Sequence, residues 1–171
     1  ESEFNQIYNI FKSENILENR EEVILFIRFL VQISNDHHRS PNFFNKIYRI
    51  LQYFNSYLKQ SFTNNEIFEL FKKNKLLVLH LIKLNILTID ENIYNEILFR
   101  SIKTNSKYHL FFYPEIINYL NNNNQEERNQ IEQEIISIKP DILNDFNNFD
   151  YLREIGENDS FICELIRNDS I

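Results

Sequence analysis

The chain has 171 residues, 43% of them hydrophobic, including 16 Phe and 9 Tyr, which is ample for one domain with its own core. One Gly and three Pro leave few turn residues, so sheet-rich folds are disfavoured and an all-α body is expected. No run of 18 apolar residues suggests a membrane span, and a lone cysteine, Cys163, excludes an internal disulfide and points to a reducing, cytoplasmic setting.

Ala and Met are absent while Asn and Ile reach 26 each, so packing rather than intrinsic propensity must hold the helices. Starting at Glu1 without any methionine, the chain is expected to belong to a longer product. The net charge of −7 is uneven: cations concentrate over 36–87 and carboxylates over 88–171.

Phe4, Ile7, Tyr8, Ile10 and Phe11 suggest a short first helix. A second, from about Asn19 to Ser34, carries Val23, Ile24, Phe26, Ile27, Leu30, Val31 and Ile33 and is expected to be largely buried. Ser40-Pro41 opens a third, to about Gln60, with Phe43, Ile47, Ile50, Leu51, Phe54 and Leu58 in one stripe. Thr63 and Glu66 match a capping box before a short helix ending near Lys73. Lys75 to Leu87, apolar at nine of thirteen positions, reads as the central buried helix. Thr88 and Glu91 suggest a second capping box, opening a helix to about Lys103 with Ile93, Ile97, Leu98 and Ile102 inward. Pro114 separates a helix over 107–112 from one over 114–120, and 125–138 is amphipathic. Helices over 140–153 and, after Gly156, 161–168 complete the series. The architecture expected is an irregular multi-helix bundle or a short HEAT-like array of antiparallel helix pairs.

Chemistry is sparse. His37 and His38 are adjacent and lack further ligands at metal spacing, and His80 and His109 read as core histidines bonded to carbonyls. No phosphate-binding loop, metalloprotease or nucleophile-elbow motif occurs, so no enzyme activity, metal or cofactor is expected. Arg39, Lys46 and Arg49 interleave with tyrosines on the third helix, which offers nucleic-acid binding as the alternative function, against an acidic net charge.

The segments 37–51 (HHRSPNFFNKIYRIL), 75–90 (KLLVLHLIKLNILTID), Tyr113-Pro114-Glu115-Ile116 and 157–170 (ENDSFICELIRNDS) together carry a family likeness. The chain resembles the helical N-terminal region of protist ankyrin-repeat proteins, whose domain of unknown function overlaps the first repeats. The resemblance covers nearly the whole chain, although no T-P-L-H ankyrin signature is present. It implies a helical domain over 1–155, a lead-in helix over 156–171, and ankyrin repeats following in cis. On that basis Phe161, Ile162, Leu165 and Ile166 are expected to pack on those repeats. The function implied is a non-catalytic capping or protein-interaction module without a cofactor, with protein partners rather than nucleic acid or membrane.

Overall fold

In the residues that the computed structural model describes (6, 9, 10, 13, 16–36, 41–104, 108–121 and 123–138), every regular element is helical. A 3-10 turn at Ile16–Glu18 precedes α1 (Arg20–Asp36), α2 (Pro41–Tyr53), α3 (Asn55–Ser61), α4 (Asn64–Phe71) and α5 (Lys75–Lys83). Then come α6 (Glu91–Thr104), α7 (Tyr108–Phe111), α8 (Tyr113–Leu120) and α9 (Gln125–Ile138). The first helix suggested over 4–11 lies largely outside the described residues, and those over 140–153 and 161–168 lie wholly outside them.

The apolar run forms α5, where Leu77, Val78, Leu79 and Leu81 are fully buried. Each such side chain contributes about 2 kcal/mol through burial. The helix is shorter than the run: it stops at Lys83 because Asn85 takes φ 53°. The amides of Asn85 and Ile86 turn back to the carbonyls of Ile82 and Leu81, each at 2.9 Å. This is the Schellman arrangement, in which a left-handed residue ends a helix, and asparagine is the side chain that tolerates that geometry best after glycine. Ile86 and Leu87 therefore enter the core from a turn.

Polar contacts at both ends of the helices fix a layered order. At one end Arg20, opening α1, pairs with Glu66 in the first turn of α4, and Asn64, opening α4, donates to Asp90, which caps α6. At the other end Asn74, just after α4, donates to Ser34 and Asn35 in the last turn of α1, and the Tyr108 hydroxyl, just after α6, donates to the Lys72 carbonyl. With like ends tied to like ends, α1, α4 and α6 lie side by side and parallel. Thr88, following α5, meets Asn64 at the start of α4, so α5 runs antiparallel to α4. Tyr48 of α2 lies against His80 of α5, ring centroids 4.8 Å apart, which puts α2 and α5 in a second layer. The pairs α1 with α2–α3, α4 with α5, and α6 with α7–α8 follow one another as a short array.

Several local readings are corrected. The third helix is two helices, broken at Phe54 (φ −84°, ψ 5°), whose ring is buried against Phe26 at 6.0 Å. Buried Val23, Ile27, Leu30 and Val31 share one side of α1, but Leu25 and Phe29 are 62% and 59% exposed, because α2 and α4 cover only that side. The Thr63–Glu66 capping box forms, whereas Thr88 caps nothing: its N–H and C=O both bond to the Asn64 carboxamide, and Asp90 accepts the Ile93 amide in its place. Ile102 is 79% exposed, since the inward stripe of α6 steps by four residues through Ile93, Ile97 and Ser101. The break before Pro114 falls at Phe112, close to where proline demands it.

Candidate functional site

Among the described residues, a row of polar groups with the composition of a catalytic triad joins α6, α7 and α9. Ser101 Oγ is 3.0 Å from His109 Nδ1, and His109 Nε2 is 2.9 Å from Glu134 Oε2. A carboxylate accepts only, so in neutral His109 the Nε2–H goes to Glu134 and Nδ1 accepts from Ser101. The serine is unsuited to attack: its residue is 7% exposed, its hydroxyl hydrogen is shared with the Ile97 carbonyl at 3.2 Å, and its oxygen accepts the His109 amide at 2.8 Å. The row is a tie between helices, and His109 bonds to side chains where a carbonyl partner is expected from sequence. Close by, Glu132 faces Tyr113, whose hydroxyl is pushed up to about 12 by burial first and that carboxylate second. Tyr94 is raised further by burial and by Glu127.

Lys75 is likewise structural. Its residue is 5% exposed and its ammonium lies 5.5 and 5.8 Å from the ring centroids of Tyr108 and Phe111, a cation–π seat at the start of α5. Of the residues expected to bind partners, Lys46 and Arg49 are exposed on α2, one helical turn apart. Arg39, Phe161, Ile162, Leu165 and Ile166 lie outside the described residues. His37, His38 and Cys163 do too.

An open cleft of about 390 Å³ runs between α4 and α6. Asn65 and Glu69 of α4 and Asn92, Asn95 and Glu96 of α6 line it, over a floor of buried Phe68 and Ile93. The Asn64 bridge to Thr88 and Asp90 sets the two helix starts level, so Asn65 and Asn92 form a first rung. Glu69 and Glu96 follow four residues, about 6 Å, further along. Glu69 pairs with Lys72, while Asn65, Asn92, Asn95 and Glu96 have no polar partner among the described residues. The exposed stripe of α6 continues through Phe99 and Ile102, 58% and 79% exposed. Sequence reasoning missed this site. The available signal was an apolar pair, Phe99 and Ile102, on the same helical face as Asn92 and Glu96. By contrast the cavity between α1, α2 and α3 holds about 10 Å³, lined by Val23, Phe26, Leu51 and other apolar side chains, no more room than one water needs.

Among the described residues no group of three or more metal-ligating side chains converges, and no helix is long and apolar enough to cross a membrane. Comparison with known proteins finds no matching family model, no matching curated protein and no matching solved structure.

Proposed function

We propose that the chain is a non-catalytic protein-interaction module, of the helical kind that caps a repeat scaffold. The observation that carries the reading is the α6 stripe: Phe99 and Ile102 stand open to solvent beside a cleft whose three amides and Glu96 lack polar partners among the described residues. Exposed large apolar side chains bordered by polar groups are typical of protein-binding patches. A layered helical array, which offers its surface for contact, also supports it. The capping role rests on the likeness to the regions that precede ankyrin repeats.

Two measurements test it. In proximity labelling with the natural full-length protein, the double variant Phe99→Asp/Ile102→Asp keeps its fold, because both side chains are exposed, and loses specific protein partners. An unchanged partner set refutes the interaction role of this face. In the same protein, Ile162→Asp lowers the melting temperature if residues 161–166 dock on following repeats, and a shift no larger than that of a surface control refutes the capping role. Nucleic-acid binding through Arg39, Lys46 and Arg49 would instead show affinity that falls steeply with salt.

A further inference from the structure

We infer that the α4–α6 cleft takes an extended peptide of a partner protein, reading its backbone with Asn65, Asn92 and Asn95 and a Lys or Arg side chain with Glu69 and Glu96. The inference rests on the interaction-module reading and specifies the partner's chemistry.

Three features of the cleft carry it. First, the fold already contains this recognition in miniature: the Asn64 carboxamide donates to the Thr88 carbonyl at 2.7 Å and accepts the Thr88 amide at 3.0 Å. A carboxamide thus pairs with both backbone groups of one residue in a non-helical segment, and the neighbouring Asn65 faces the cleft with no such segment bound to it among the described residues. Second, the rungs match. Residues four apart on a helix are about 6 Å apart along its axis, and alternate residues of an extended chain are about 6.6 Å apart, so a peptide along the cleft presents one side chain per rung.

Third, the charge is one-sided. Among the described residues the lining holds two carboxylates and three amides and no cation, and the nearby Lys72 is paired with Glu69. An acidic segment is repelled there, whereas an arginine or lysine is held by Glu96 and shares Glu69 with Lys72. Past Glu96, Phe99 and Ile102 lie about 4.5 and 9 Å further along α6, so a peptide residue two positions from the basic one, about 6.6 Å on, falls between them and is favoured when apolar. The floor of Phe68 and Ile93, buried under the cleft, keeps the two walls in place.

The probe is an array of immobilised twelve-residue peptides with randomised flanks around Arg-x-Leu, Leu-x-Arg, Glu-x-Leu and Ala-x-Leu centres, each also made with N-methylated backbones. The whole chain is applied as wild type, as Asn95→Ala/Glu96→Gln, as Asn65→Ala/Glu69→Gln, and as the α2 control Lys46→Gln/Arg49→Gln. Arginine-centred peptides should be retained by wild type and by the α2 control. Each cleft variant, altered only at exposed or half-exposed side chains, should bind about tenfold more weakly, and N-methylation should abolish retention. Equal retention by wild type and both cleft variants, or retention that the α2 control loses, overturns the cleft assignment and leaves the interaction module standing. Absence of any arginine preference overturns it as well. The broader reading falls only if Phe99→Asp/Ile102→Asp also leaves the partner set unchanged.

Discussion

Asn74 ties the start of α5 to the end of α1, and truncating it should cost more than a surface change. Its Oδ1 accepts the Leu77 amide at 3.0 Å, capping α5, while its Nδ2 donates to Ser34 Oγ at 3.1 Å and to Asn35 Oδ1 at 2.7 Å in the last turn of α1. Ser34 and Leu77 have no exposed surface, so water cannot replace what Asn74→Ala removes. Loss of the cap costs about 1 kcal/mol. Removing this donor from the buried Ser34 hydroxyl and the half-buried Asn35 oxygen costs about 1–2 kcal/mol more. The sum, about 2–3 kcal/mol, lowers the urea midpoint by about 1–1.5 M for a slope near 2 kcal/mol per M, read by far-UV circular dichroism. Asn74→Ser separates the parts: its hydroxyl still caps α5 but is too short for Asn35, so its midpoint should fall between the other two. An Asn74→Ala protein within about 0.5 kcal/mol of wild type would refute the account, and a serine variant as stable as wild type would refute the bridge to α1.

Leu79→Ala should destabilise by about 2–5 kcal/mol in the same assay, against a negligible change for Ile102→Asp, because Leu79 is fully buried and Ile102 is 79% exposed. Thr63→Ala should cost about 0.5–2 kcal/mol at neutral pH through loss of the α4 cap. The Thr63 amide and hydroxyl, and after them Arg20, hold the Glu66 carboxyl below its ordinary 4.5. Its share of stability is therefore complete above that value and is lost as pH falls through the lower folded one, so acid unfolding curves of Thr63→Ala should show weaker pH dependence. Burial raises Tyr113 from 10.0 to about 12, so stability is full below pH 10 and declines as pH rises toward 12. Tyr113→Phe should flatten that decline, measured by thermal melts across the range, and an unchanged slope would exclude Tyr113 as its source.

Helix existence was legible wherever apolar residues recur at three and four, as in α5 with Leu77, Val78 and Leu81, and wherever a cap is local, as at Thr63 and Glu66. What could not be read were pairings across sequence distance: Asn64 with Thr88, Asn74 with Ser34, His109 with Glu134. Nothing in a periodicity marks which of 26 asparagines will meet a particular partner. The same blindness hid the exposure of Leu25, Phe29 and Ile102, since a helix buried on all sides and one whose apolar residues partly face solvent have similar patterns.

The structure sorts those asparagines by task. Asn19 caps α1 through the amides of Glu21 and Glu22, Asn74 caps α5, and Asn124 caps α9 through the amides of Glu126 and Glu127. Asn85 supplies the left-handed residue that a glycine-poor chain still needs, and Asn64 clamps the strand that leads into α6. In a chain with one glycine, the carboxamide thus serves as cap, as turn and as a link between segments, each time by imitating or binding a peptide group. Asn65, Asn92 and Asn95 have the same chemistry, share one cleft, and have no peptide group of their own chain to bind among the described residues. Three amides with that capacity unused among the described residues, in one cleft with two carboxylates and beside two exposed apolar side chains, distinguish the α4–α6 face from α2, which offers the cations Lys46 and Arg49 with the 43% exposed Tyr53.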